Sequence, residues 1–356
     1  MSATTLVGKV QTVLGVIEPE AVGVASGHEH VLSDMSAYYL EPEAAADRDR
    51  VRQPLSLENL AWARAHRFSN LDNMRLNDRD LATAEVLRFK KAGGDTIVEM
   101  SPRGMCRDPE GLAYVARATG ANIVMGSGYY VGISHPADMD QRSEAQIADE
   151  IVGEILEGAD GTGVKPGLIG EIGCTMPLSA NEGKVLRAAA KAQSRTGAPM
   201  DIHPGFDDCL VLRIADILRE AGASLRHTMI SHMEVFDYTL ETRLKLLEAG
   251  CYIGYDNFGN LGYPHLYLGR VVNLTTDLSR IKDIKELIGM GFVDQILLGQ
   301  DVVFKDSLST YGGYGYAHLL DNVVPLMRDM GIEEHHISAM LVDNPRRFLT
   351  FEEPVA

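Results

Sequence analysis

Eight short β-branched or apolar runs, spaced by polar or glycine-rich turns and stretches of helical periodicity, constrain the fold of this 356-residue chain more than any other feature. The first is Ala21–Ser26; the others are Thr96–Met100, Ile123–Ser127, Gly167–Glu171, Met200–His203, Thr228–His232, Cys251–Tyr255 and Gln295–Gly299. Amphipathic stretches lie between them at Leu81–Ala92, Gln146–Glu157, Glu182–Thr196, Val211–Ala221, Leu240–Ala249 and Ile281–Gly291. Such alternation implies a parallel sheet with helical crossovers. An open doubly wound sheet and a closed barrel both satisfy it. The polar residues decide between them, because they stand at the C-terminal ends of many different runs. In an open sheet those ends spread along an edge, whereas a barrel gathers them at one mouth. The expected fold is therefore an α/β (β/α)8 TIM barrel, with residues 1–356 forming a single domain.

One segment interrupts the rhythm. Residues 34–78 form a long loop after the first strand and contain Tyr38, Tyr39, Pro54 and Trp62. Loops of this length are usually functional or carry their own helices. It reads as a lid or a subunit contact over the mouth, with a plain surface excursion as the alternative.

The bulk properties exclude several classes. With 33 basic against 50 acidic residues, the net charge of −17 repels nucleic acid and anionic membrane surfaces. Met1–Gly8 lacks the basic start and apolar run of a secretory signal, and no apolar stretch is long enough for a membrane span. Cys106, Cys174, Cys209 and Cys251 are far apart and form no CxxC pair, which points to free thiols in a cytoplasmic setting.

Chemistry concentrates at the strand ends. In Gly27-His28-Glu29-His30 the two histidines are two apart, so on extended chain they point the same way and can grip one ion while Glu29 faces elsewhere. Glu171 ends an apolar run, where a carboxylate is costly to bury unless it is paired or coordinates a metal. Its two oxygens suit it to bridge two ions; a buried salt bridge is the alternative. His203 and His232 close successive strands, and neutral imidazole is the commonest metal-ligating side chain. Asp301 follows the last strand, where it can cap the next segment or accept a proton from a metal-bound water. Histidine and carboxylate ligands without cysteine suit zinc, manganese, cobalt or iron. Two such ions, about 3.5–4 Å apart, can share a hydroxide and polarise a scissile bond.

At these residues the sequence resembles the phosphotriesterase family of the amidohydrolase superfamily, and more narrowly its phosphotriesterase-related subgroup. The likeness runs nearly end to end. It is carried by Gly8–Gly15, Gly27–His30, Gly158–Thr162, Gly170–Cys174 and Tyr311–Tyr316 followed by His318. It implies a binuclear centre of two divalent ions, zinc foremost. His28, His30 and Asp301 would hold the more buried ion and His203 and His232 the more exposed one. Many relatives bridge the ions with a carbamylated lysine; here Glu171 stands at that position, and Lys165 reads as a surface residue. The resemblance also implies a homodimer.

A bridging hydroxide is then expected to attack a carbonyl or phosphoryl centre, with Asp301 taking its proton. Specificity should lie in the loops. Arg103 is placed after the second strand to pair with an anionic substrate end or to form a surface salt bridge. Of Tyr129 and Tyr130, one is expected to face the pocket and the other to pack outward. Asp256 and His318 complete the candidate substrate contacts. The substrate is a small molecule, and the subgroup implies amide hydrolysis of an N-acyl amino acid or aminosulfonate such as N-acetyltaurine. A lactonase with weak phosphotriesterase activity is the runner-up, and a non-catalytic ligand-binding protein the third reading.

Overall fold

The computed structural model describes residues 3–235, 238–260, 265–267, 270–272 and 274–355. Eight parallel strands form the barrel: β1 (Ala25–Glu29), β2 (Thr96–Glu99), β3 (Asn122–Met125), β4 (Ile169–Gly173), β5 (Met200–His203), β6 (Thr228–Ile230), β7 (Tyr252–Tyr255) and β8 (Ile296–Leu298). Continuous ladders join β1 to β3 and β4 to β8. Two seams close the ring. Gly167 N–H donates to Met125 O at 2.9 Å and Gly170 N–H to Ser127 O at 2.7 Å between β4 and β3. At the other seam Gln300 N–H and Asp301 N–H both donate to His28 O, at 3.3 and 3.1 Å. Both seams need glycine: a Cβ on Gly126 would meet Gly170 O at 2.0 Å, and one on Gly299 would meet His28 Cβ at 2.8 Å.

Side-chain alternation fills the ring from within and covers it from without. Val98, Val124, Leu168, Met229 and Leu297 share one cluster with Val10, Phe348 and Leu349, which plug the interior. Ile169, Ile202, Ile230, Ile253 and Ile296 instead pack in a cluster with the surrounding helices. Those helices are α1 (Arg79–Lys91), α2 (Pro109–Thr119), α3 (Glu144–Glu157), α4 (Ala180–Thr196), α5 (Asp208–Glu220), α6 (Leu240–Glu248) and α7 (Asp277–Gly289). Ser143 and Ser179 start α3 and α4 with reciprocal capping boxes, closed by Gln146 and Glu182. No helix among the described residues is long and apolar enough to cross a membrane.

Two features differ from the sequence expectation. The first strand is Ala25–Glu29 rather than Ala21–Ser26, because Pro19 opens a 3-10 turn over Pro19–Val22. His28 therefore lies within the strand. Residues 34–78 are tied to the barrel by Ser33–Asp34 pairing with Arg75–Leu76. They send Met35, Arg67 and Phe68 into the central cleft, so this loop builds a wall of the pocket.

Candidate metal centre

The six side chains singled out by the sequence converge at the C-terminal mouth. Two groups of three have candidate ligand atoms within 4.8 Å of one another: His28, His30 and Asp301, and His28, Glu171 and His232. His30 Nε2 and His28 Nε2 lie 3.2 and 3.8 Å from Asp301 Oδ1. On the other side His203 Nδ1 and His232 Nε2 lie 2.7 and 2.9 Å from Glu171 Oε1, and 3.0 Å from each other. Donors about 2.0–2.2 Å from a common ion stand roughly 3–3.5 Å apart; the His30–Asp301 and His203–His232–Glu171 contacts fall near that spacing, while His28 stands just outside it, 3.8 Å from Asp301 and 3.9 Å from Glu171. Glu171 joins them, its Oε2 lying 3.9 Å from His30 Nε2.

The donor chemistry fits cations. His28 Nε2 and Glu171 Oε2 are buried without any hydrogen-bond partner among the described residues. Glu171, Asp201 and Asp256 are each no more than 1% exposed, and neither they nor Asp301 has a lysine or arginine within ion-pair distance among the described residues. Buried carboxylates of this kind need another positive partner. Burial works against the Glu171 carboxylate, but His203 and His232 opposite it hold its pKa well below the usual range. Burial likewise opposes charge on His232, and Asp256 and Glu171 override it to raise that pKa well above the ordinary imidazole value. Burial, with Glu171 and Asp256 nearby, pushes Asp201 well up.

Beneath this layer, hydroxyls and carboxylates set the imidazoles. Ser231 Oγ donates to Asp201 Oδ1 at 2.6 Å, leaving it to accept from His28 Nδ1 at 3.1 Å. Ser101 Oγ donates to Glu99 Oε1 at 2.6 Å and accepts from His30 Nδ1 at 2.9 Å. Each arrangement leaves the Nε2 lone pair facing the centre. Asp256 Oδ1 meets His232 Nδ1 at 2.8 Å. We expect Ser231→Ala to weaken metal affinity by about 10–100-fold in a chelator competition. An unchanged affinity would remove Ser231 from the support of His28.

His232 and Asp301 both adopt left-handed backbone, with φ of 60° and 49°. Non-glycine residues there are uncommon and gather at functional sites. The surroundings fix both. Asp256 accepts the His232 N–H, at 3.0 Å to Oδ2. Glu29, pointing away from its two histidine neighbours, accepts Gln300 N–H and Val302 N–H at 3.1 Å each and so brackets Asp301.

The remaining candidates divide. Tyr130 faces the cleft, its ring 5.0 Å from that of His203. Tyr129 packs outward and donates to Glu150 at 2.5 Å. Arg103 does not reach the pocket: it pairs with Glu154 at 2.9 Å and Glu150 at 3.2 Å, because α3 presents both carboxylates to it. Asp256 lies under the centre and is 1% exposed, bonded to His232 rather than open to substrate. His318 is turned to Asp277 at 2.7 Å and to Asn322, so it too is spent outside the cleft. Lys165 donates to Leu156 O at 2.6 Å, away from the centre. The sequence reading missed Asp201 and Ser231, and it missed the walls from Phe68, Phe206 and Phe304. Asp201 carries a signal, since it precedes His203 by two on one strand face; the walls carry none.

The cleft above the centre has mostly apolar walls, built by Met35, Phe68, Met105, Phe206, Val303 and Phe304. The phosphotriesterase family model matches residues 8–349. The chain is 40% identical to the N-acetyltaurine hydrolase of Xenopus tropicalis over 355 residues and 38% identical to that of Homo sapiens over 350. Each match covers 98% of this chain and 100% of the relative. Among solved structures, a resiniferatoxin-binding protein from Rhodobacter sphaeroides superposes with a TM-score of 0.92 at 37% identity, covering 98% of both chains.

Proposed function

Because the chain belongs to the phosphotriesterase family of metal-dependent hydrolases, we propose that it cleaves the amide bond of a small N-acyl aminosulfonate or amino acid, N-acetyltaurine first among them. The observation that carries this reading is the pair of donor groups sharing His28, with Glu171 facing His30, His203 and His232, beneath a cleft with mostly apolar walls, in a chain that aligns end to end with N-acetyltaurine hydrolases.

In this reading His28, His30 and Asp301 would hold one divalent ion, His203 and His232 would hold a second, and Glu171 would serve both. Zinc is the first candidate, with manganese, cobalt and iron also suited. Such ions supply an acidified water and positive charge for the carbonyl oxygen. The chain's own groups do the rest. Asp301, 18% exposed at the cleft floor, takes the water's proton and returns it to the departing amine nitrogen. His203 and His232 hold the side toward the cleft, where Tyr130 borders the acyl group. Phe68, Phe206 and Phe304 exclude bulk water and strengthen every charge interaction below them. The same reading places one hydrolase domain over the whole chain, in a homodimer in the cytoplasm. Four unpaired cysteines support a reducing compartment.

The test is a metal analysis with a substrate panel of N-acetyltaurine, N-acetyl amino acids, lactones and a paraoxon-like ester. Two ions per chain, with the highest kcat/KM on N-acetyltaurine, are expected. Less than one ion per chain, or a lactone preferred over every amide, would overturn the reading.

A further inference from the structure

Specificity for an ionised substrate needs a cation in the cleft, and Arg103 does not supply it. Among the described cleft residues the sole lysine or arginine is Arg67, from the long loop. It is 6% exposed, and its guanidinium carbon stands 5.0 Å from the centre of the Phe304 ring. Its placement is fixed by a clasp between that loop and the chain after β8. Lys305 N–H donates to Asn73 O at 2.9 Å, Asp306 N–H donates to Asn73 Oδ1 at 2.8 Å, and Lys305 Nζ meets Asp72 at 2.6 Å.

The guanidinium is not spent on its neighbours. Nη1 donates to Asn260 Oδ1 at 2.8 Å, while Nε is buried with no partner among the described residues. The nearest carboxylate, Asp306, lies 4.0 Å from Nη2, beyond hydrogen-bond distance, and neither of its oxygens accepts a hydrogen bond. Arg64 Nε stands 3.7 Å from that same carboxylate, so two guanidiniums face one negative charge. Structural Arg–carboxylate pairs are frequently bidentate at about 2.7–2.9 Å, as Arg79 is with Asp108, and the Arg67–Asp306 pair is not.

Arg67 lines the same cleft as His30, Glu171, His203, His232 and Asp301. Asn260 Nδ2 donates to Asn257 Oδ1 at 3.0 Å, and Asn257 Nδ2 stands 3.3 Å from His232 Nδ1, so a polar strip links Arg67 to the metal side of the cleft. In an N-acyl aminosulfonate four bonds separate the acyl carbon from the sulfur, about 5 Å when extended. We propose that Arg67 is the specificity-determining anchor for the substrate's ionised end, a sulfonate or carboxylate, holding it across the cleft from the metal centre. The choice of substrate class rests on the amide reading above; the anion site itself does not.

Propane-1-sulfonate, which has no bond to hydrolyse, tests the site by calorimetric titration of the zinc-loaded protein. Arg67→Met is expected to weaken its binding by roughly thirtyfold, the scale of charge-assisted hydrogen bonds. Arg67→Gln, which keeps a donor for Asn260, serves if the apolar replacement unsettles the loop, and should show a similar loss. With N-acetyltaurine the loss should appear mainly in KM, and exceed the loss on neutral N-propylacetamide by about tenfold. Sulfonate binding that is absent from the parent, or that survives both replacements, overturns the proposal. A parent that binds the sulfonate through Arg67 yet leaves N-acetyltaurine and the N-acetyl amino acids intact keeps the anion site and removes the amide reading.

Discussion

An Asp301→Asn protein is expected to keep its metal and to lose roughly 10²–10⁴-fold in kcat, the range over which a positioned proton acceptor acts. The substitution is close to isosteric, and asparagine tolerates the left-handed backbone at this position, where φ is 49°. Glu29 brackets the residue through Gln300 N–H and Val302 N–H, so the strand end should stay in place. The amide oxygen can still face the histidines as Asp301 Oδ1 does now, 3.2 Å from His30 Nε2. What disappears is a basic oxygen to receive the proton. Metal analysis beside steady-state kinetics separates the two roles. Unchanged turnover would remove Asp301 as the base; a loss of metal matching the loss of rate would leave it a ligand only.

The barrel was legible because its two periods are unmistakable in the sequence: apolar runs that end in polar residues, and helical stretches between them. The errors are local. Ala21 and Val22 look like strand, but Pro19 turns the chain first, and the strand starts only at Ala25. The convergence of His28, His30, Glu171, His203, His232 and Asp301 was legible because a closed barrel leaves strand ends only one place to go. The layer beneath was less so. Ser231 and Ser101 look like ordinary strand-end serines, and only the fold brings them to His28 and His30. The substrate side was the least legible. Arg103 and Arg67 are both arginines on segments that follow early strands, and which of them enters the cleft depends on α3 presenting Glu150 and Glu154 to the first. No period governs loop residues, so sequence spacing cannot rank them.

Glu171→Gln is expected to bring the metal content below two ions per chain and to reduce hydrolysis by roughly a thousandfold. Among the six candidate ligands Glu171 is the one whose oxygens face both groups: Oε1 meets His203 and His232 at 2.7 and 2.9 Å, and Oε2 lies 3.9 Å from His30. Glutamine keeps the shape but replaces one oxygen with an N–H donor that no cation accepts. It also removes a negative charge that the site holds ionised against the penalty of burial. One ion can still be held by His28, His30 and Asp301, so a residual single-ion protein is the expected product, and metal analysis reads it directly. A carboxylate bridge needs no carbamate, so loading of the parent apo-protein should proceed equally with and without added bicarbonate. Lys165, bonded to Leu156 O, is out of position to provide one. Two ions bound at parental affinity by Glu171→Gln would overturn the bridge and leave Glu171 an ion-pair partner for the two imidazoles. Bicarbonate-dependent loading would do the same, by pointing to a carbamate elsewhere.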